Sequence, residues 1–345
     1  MAYSTIPKGS LYMNPKLYTG NGSTQSITGV GFLPDFVWTK NRTSSADHQL
    51  YDIVRGVYKQ IKSNTTAVQE TDSNTLTAFG SDGFSLGSSD DVNQNAKNFV
   101  SWNWKANGAG SANTEGSVSA TVSANTTAGF SIVQYNTAGS GTQTMGHGLD
   151  SAPTFIITKP TQNSESWYVY IPTGVSSSLR LNTDAAAVST TPYAGTPTDT
   201  LFSINNGIIG GYTGVISYCF TDVKGYSKFG SYTGNGSGDG TFVYTGFKPA
   251  FVMVKNTDAT RNWTILDNKR DAFNACSIRL FPNSSEAEAG SVGSEAMADI
   301  LSNGFKTRTN DANFNASGNN YIYMAFAENP FVATSGTSAI PVTAR

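Results

Sequence analysis

Two pairs of charged residues share one spacing in this chain, Asp52 with Arg55 and Asp267 with Arg270. Each Asp follows a ring-bearing side chain by four positions, His48 in the first case and Trp263 in the second. A carboxylate held beside a guanidinium can work as a general acid or base, or it can be an ion pair that fixes a loop. The catalytic use is undercut by the middle of the chain, where the matching places hold Ile171 and Gly174. Asp52, Arg55, Asp267 and Arg270 are therefore read as structural ion pairs of the common surface kind, individually weak.

The remaining candidates for chemistry are thinner. Glu286, Glu288 and Glu295 cluster and could furnish the two carboxylates of a glycosidase. They lie, however, in SSEAEAGSVGSEAMADIL, residues 284–301, whose Ser/Glu capping spacing and alanines predict short helical pieces with a solvated face. Asp82, Asp90, Asp91 and Asp311 could offer loop oxygens to calcium, but no acidic spacing recurs. His147 stands between glycines and reads as a turn residue. Cys219 and Cys276 are the only cysteines and read as two buried free thiols. No phosphate loop, dinucleotide fingerprint, zinc spacing or nucleophile elbow occurs. The expectation is a non-enzymatic protein with no catalytic residue, no cofactor and no metal.

The elements that would position these residues come in three copies. YTGNG opens the first at Tyr18 and the third at Tyr232; GFLPDFVWTKN (31–41) answers GFKPAFVMVKN (246–256). The turn SDGF (81–84) answers SNGF (302–305), and FVSWNW (99–104) answers YIYMAF (321–326). A more diverged middle copy keeps the order with QYNTAG (134–139), GHGLDSAPTFIITK (146–159), INNGI (204–208) and VISYCF (215–220). Each copy is long enough to be a domain, so the repeat predicts three units. Period two within them predicts strands: Phe32, Phe36 and Trp38 share a face opposite Val37, and Val100, Trp102 and Trp104 share one opposite Phe99, Ser101 and Asn103. Ile216, Tyr218 and Phe220, and Ile322, Met324 and Phe326, repeat the pattern as core candidates of half-buried sandwich strands. Asn or Asp before Gly in the three turns suits hairpins with positive φ.

The expected architecture is all-β: an N-terminal arm (1–12), unit 1 (13–108), a flexible linker (109–114), unit 2 (115–224), unit 3 (225–331) and a C-terminal arm (332–345) that orders only against a partner. The units are three tandem antiparallel β-sandwiches forming a rod-like or curved subunit, with units 2 and 3 packed more rigidly than units 1 and 2. Val118–Tyr135 predicts two short strands leading unit 2. Charged residues make up 13% of the chain and net charge is −2, so attraction to nucleic acid or an anionic membrane is not encoded. Neither a secretory leader nor an 18-residue apolar run is present, so membrane insertion is not expected.

The combination of GHGLDSAPTFIITK, GYSKFGSYTGNG with GFKPAFVMVKN, SNGF, and YIYMAFAENPF followed by a tail ending PVTAR resembles tailed-bacteriophage virion proteins, above all tail-fibre and appendage proteins of marine phages. That resemblance spans nearly the whole chain from Tyr18. It implies a concanavalin-like β-sandwich in each unit, a structural or adhesive role in the virion after assembly in the host cytoplasm, contacts with other virion proteins, and homo-oligomers, trimers in the first instance. It carries over no catalytic residue. The alternatives are a capsid decoration or head-fibre protein and, in another class, a carbohydrate-binding or carbohydrate-active protein. For a host-surface glycan, the aromatic contacts to inspect are Trp167, Tyr193, Tyr212 and Trp263.

Overall fold

The computed structural model describes residues 4–171, 177–290, 296–335 and 338–341, with only the backbone described from 332 onward. Among them the regular secondary structure is almost entirely strand, joined by long loops. Repeat 1 builds a four-stranded antiparallel sheet in the order Met13–Thr19, Asn98–Trp104, Phe36–Asn41, Gln49–Asp52. Repeat 3 uses the same order: Ser227–Thr233, Asn320–Pro330, Phe247–Asn256, Thr264–Asp267. Repeat 2 places Phe130–Tyr135, Val215–Phe220, Phe155–Pro160 and Tyr168–Tyr170 in that order within a seven-stranded sheet. Over each lies a smaller outer sheet: Gln25–Thr28, Gly83–Leu86 and Leu76–Gly80 in repeat 1; Thr142–Gly146 and Leu201–Asn205 in repeat 2; Phe242–Tyr244, Gly304–Thr307 and Ala298–Leu301 in repeat 3.

The expected faces are found, but the strands are buried on both. Val37 and Tyr51 pack with Ile27, Phe84 and Leu86 between the two sheets of repeat 1. The opposite face, with Phe36, Trp38, Val100, Trp102 and Trp104, joins a central cluster that also takes Ile216, Tyr218 and Phe220 from repeat 2 and Ile322, Met324 and Phe326 from repeat 3. Ring contacts cross every boundary. Phe36 stacks on Tyr218 with centroids 4.3 Å apart, Phe220 meets Phe326 edge-on at 5.9 Å, and Trp104 meets Phe326 at 5.8 Å. The rod-like arrangement is thus corrected: three sheets turn their aromatic faces inward upon one shared core. The physical reason is area. A face carrying two tryptophans or two phenylalanines gains several kcal/mol by being covered, about 2 kcal/mol per large side chain, and only the other repeats can cover it.

Several local expectations change with this closure. The linker 109–114 contains the strand Ser111–Asn113, paired to Ala120–Asn125, and its approach is tied down by Asp35, which accepts from the amides of Ala106 at 2.6 Å and Gly108 at 3.0 Å. The second strand pair before repeat 2 is as expected, Ala120–Asn125 against Phe130–Tyr135. The N-terminal arm is not loose: Ile6 is fully buried in the central cluster and Gly9 lies so close to Ala327 that a Cβ would meet its carbonyl oxygen. Within 284–301 the described residues form a loop and the strand Ala298–Leu301, not a helix; Gly290 at φ +85° takes a left-handed conformation that no helix contains. In the C-terminal arm Val332–Ser335 pairs with Ser338–Pro341 as a hairpin. Gly83 has the expected positive φ, +149°, and both Gly83 and Gly304 also serve close approach, since a Cβ on either would strike the carbonyl oxygen of the facing strand, that of Ile27 or Val243.

Candidate functional site

The two Asp/Arg pairs form, but at the heart of the repeat junctions and not on the surface. Asp52 ends its strand, and the turn that follows brings Arg55 back so that its Nε donates to Asp52 Oδ2 at 2.5 Å and its amide to Oδ1 at 2.8 Å. Asp267 and Arg270 repeat this geometry at 2.5 and 2.9 Å. All four side chains are almost wholly buried. Each carboxylate takes a further donor from the last strand of another repeat. Tyr218 Oη donates to Asp52 at 2.7 Å, and Trp102 Nε1 donates to Asp267 at 3.0 Å. Tyr218, Trp102 and Met324 are equivalent positions. The junction where Met324 offers no donor is also the one where Ile171 replaces the acceptor, and both enter the apolar core. The Arg270 guanidinium beside Asp267 holds that carboxyl below its ordinary range, against the upward push of burial.

The rings four residues before Asp52, Ile171 and Asp267 make a second cyclic set. Trp167 Nε1 donates to the Lys62 carbonyl at 2.8 Å, Trp263 Nε1 to the Arg180 carbonyl at 2.9 Å, and His48 Nε2 lies 3.1 Å from the Phe281 carbonyl. His48 Nδ1 accepts from Trp38 Nε1 at 2.9 Å, which leaves Nε2 to carry the proton; burial pushes this imidazole well below its usual range, so it stays neutral. Repeat 2 thus leans on a strap of repeat 1 (residues 62–69), repeat 3 on a strap of repeat 2 (180–187), and repeat 1 on a strap of repeat 3 (281–288).

A third set was not anticipated. Lys40, Lys159 and Lys255 occupy the same place in each repeat, fully buried near the end of the central strand. Each ammonium donates to a carbonyl of the neighbouring strap: Ser285 at 3.3 Å, Thr66 at 2.9 Å and Asp184 at 3.1 Å. Burial pushes all three down to about 8. Two residues beyond each lysine the backbone carbonyl receives a strap amide, from Glu288 to Arg42, from Gln69 to Thr161 and from Ala187 to Thr257. The third strap is further locked by a two-pronged Arg42–Glu288 pair, 2.8 Å at each prong. The signal was present as the Lys in TKN, TKP and VKN, but one strand cannot show what its end will meet.

The expected glycan contacts are largely corrected by this geometry. Trp167, Trp263 and Tyr193 are buried, the first two as junction donors and Tyr193 with its hydroxyl on the Tyr168 carbonyl at 3.0 Å. Tyr212 is half-buried and donates to Glu165 at 2.9 Å. Among the other candidates, Asp82 accepts from the amides of Gly29 and Gly31, Glu288 belongs to the strap, and His147 is a buried turn residue hydrogen-bonded to the Thr198 carbonyl at 3.1 Å. Gly174 and Glu295 lie outside the described residues. Among the described residues no three His, Cys, Asp or Glu side chains gather to hold a metal. Cys219 and Cys276 are both buried, as expected.

What sequence reasoning passed over is on the outside of repeat 3. Phe242 and Tyr244 project from the outer edge strand at 46% and 57% exposure, flanking the inward Val243. Tyr244 walls a cleft of about 390 Å³ shared with Asp222, Ser227 and Lys228.

Sheet pairs in triplicate around one aromatic core, joined by buried polar clamps, define the class to which this chain belongs by construction. By sequence, residues 8–330 match the family described as a domain of unknown function, DUF7483, and the chain belongs to that family. No curated protein and no solved structure matches the chain.

Proposed function

We propose that this is a non-catalytic structural protein of a tailed-phage virion, a tail-fibre or tail-appendage component that contributes to attachment to the host surface. The observation that carries the non-catalytic part is the fate of the chemistry-bearing residues. His48, both Asp/Arg pairs and the three lysines are spent on one another and on backbone carbonyls across repeat boundaries, in places that exclude solvent. Groups so engaged hold a shape. The virion assignment is supported by the motif combination from GHGLDSAPTFIITK to YIYMAFAENPF. A closed three-lobed body suits a tip or knob better than a shaft, and copies are proposed to associate further, as trimers.

The same compactness favours a second reading, a decoration protein seated on the capsid. Cryo-electron microscopy of intact particles tests both. Density on the tail with repeat 3 pointing outward supports the appendage, density across capsomers replaces it with the decoration protein, and absence from purified particles removes the virion reading altogether.

A further inference from the structure

The corner where the central strand of each repeat begins is built three ways. In repeat 1 it holds Asp35, buried, whose carboxylate accepts from the amides of Ala106 at 2.6 Å and Gly108 at 3.0 Å. In repeat 2 it holds Thr154, whose hydroxyl donates to Asp222 at 3.5 Å. In repeat 3 it holds Ala250, which brings neither charge nor hydroxyl. The backbone fixes the equivalence of the first and third: the Ile53 amide donates to the Asp35 carbonyl and the Asn268 amide to the Ala250 carbonyl, each at 2.9 Å. The same register sets Asn268 and Lys269 against Ile53 and Val54 of repeat 1. Val54 packs on the central cluster, whereas Lys269 is exposed. Repeat 3 thus lacks the carboxylate and carries polar groups around its place.

A cleft of about 230 Å³ opens there, lined by Ala250, Asn268, Lys269 and Glu328 of repeat 3 and by Lys8 and Ser10 of the N-terminal arm. The arm is anchored on either side by Ile6 in the central cluster and Gly9 against Ala327, which sets the positions of Lys8 and Ser10. Glu328 is ion-paired with Lys248 at 3.3 Å, and among the described residues no ion pair engages Lys8 or Lys269. The cleft therefore carries two unbalanced cations. Asn268 Oδ1 is buried and accepts no hydrogen bond among the described residues, which is costly unless a donor reaches it. A ligand with both a carboxylate and hydroxyl groups answers this arrangement. Its carboxylate takes the place that Asp35 fills in repeat 1 and pairs with Lys8 and Lys269, while its hydroxyls donate to Asn268 and Glu328. Phosphate offers mainly acceptor oxygens, which those last two groups disfavour. No aromatic side chain lines the cleft, so a neutral sugar finds no ring to stack on. The volume lies below that of sites for drug-sized ligands and suits a single ring.

We propose that Lys8, Lys269, Asn268 and Glu328 form a binding site for an acidic monosaccharide unit, a hexuronic acid, seated over Ala250 at the junction of the N-terminal arm and repeat 3. This deepens the attachment reading above and rests on it only for the source of the sugar. The test is a saturation-transfer NMR titration of the full chain with the methyl glycosides of glucuronic and galacturonic acid, and with methyl glucoside and methyl galactoside as neutral counterparts. Two variants, Ala250→Asp and Lys269→Val, bring in the residues that repeat 1 carries at these places. The first fills the seat with the protein's own carboxylate, and the second removes a cation. Unchanged melting temperatures check folding; Lys269 is exposed, so its variant carries the test alone if the first melts early. Transfer to the ring protons of at least one uronide is the expected result, with a Kd that rises about tenfold or more in each folded variant, the worth of one hydrogen bond to a charged group. No transfer to either uronide, an unchanged Kd in Lys269→Val, or equal binding of the neutral glycosides overturns the proposal. So does loss of the signal on adding an equal concentration of inorganic phosphate, because the cleft is then a plain anion seat. A failure here removes the site and leaves the attachment reading to microscopy of particles, whereas absence from particles removes that reading and leaves uronide binding standing.

Discussion

The indole of Trp102 donates to the carboxylate of Asp267 at 3.0 Å, joining the last strand of the first repeat to the edge strand Thr264–Asp267 of the last one. That bond closes the chain on itself, and its counterpart between Tyr218 and Asp52 shows that the closure follows a rule. Where the rule lapses, at Ile171 and Met324, both sides lapse together. A buried acceptor without its donor is costlier than no polar pair at all.

Asp267→Ala should cost about 3–5 kcal/mol, because it strands the Arg270 guanidinium in the core. The triple change Asp267→Ile, Arg270→Met, Trp102→Met makes this junction apolar, as Ile171 and Met324 make theirs, and should recover most of that loss, since well-packed apolar groups often replace a buried ion pair at little cost. Urea unfolding measured on both variants checks this. A triple variant no better than the single one would show that the polar junction has a role the apolar one cannot fill.

Trp263→Phe keeps an apolar ring but removes the donor to the Arg180 carbonyl. The expected loss is about 1–3 kcal/mol, and Trp167→Phe should match it at the equivalent junction. The midpoint in urea should fall with the slope unchanged, as the unfolded surface is the same.

Stability should rise with pH between about 8 and 10. Lys40, Lys159 and Lys255 are pushed down to about 8 in the folded protein and titrate near 10.5 when unfolded, so in that window the unfolded chain binds more protons. Above pH 10 the trend should reverse. Burial raises Tyr193, Tyr218, Tyr226 and Tyr232 well above 10, so the unfolded chain loses those protons first. Thermal melts from pH 7 to 11 should trace a maximum near 10, and replacing the three lysines with Met should flatten the rising limb. A curve falling steadily from pH 8 would contradict the assigned lysine environments.

Much of the fold was legible. The alternation in FVSWNW, VISYCF and YIYMAF assigned the core face correctly because period two is a property of one strand. The Asp/Arg pairs were found for the same reason, their partners being three residues apart. Their burial was not legible, nor was the use of Trp167 and Trp263 as clamps, because both depend on which repeat faces which. The lysine triplet was visible as a repeated letter whose meaning lay in a strap of another repeat. Phe242 and Tyr244 hid in plain alternation: Phe-Val-Tyr reads as an ordinary strand until Val243 is seen to be the inward residue.

A shared core implies shared unfolding. Phe220→Ala in repeat 2 removes a ring that packs on Phe229 and Phe326 of repeat 3 and should cost about 3–5 kcal/mol. Hydrogen exchange should then speed up on the core strands of all three repeats by a similar factor. Acceleration confined to repeat 2 would mean that the repeats unfold as separate domains.

The most direct test of closure is the size of the chain in solution, by small-angle X-ray scattering on the monomer peak from a sizing column. A closed body of this length should give a radius of gyration of about 20 Å, whereas three sandwiches in line would give roughly 30 Å or more. A value near 20 Å with a single-peaked distance distribution is the expected result. A value near 30 Å with a long tail would contradict the ring.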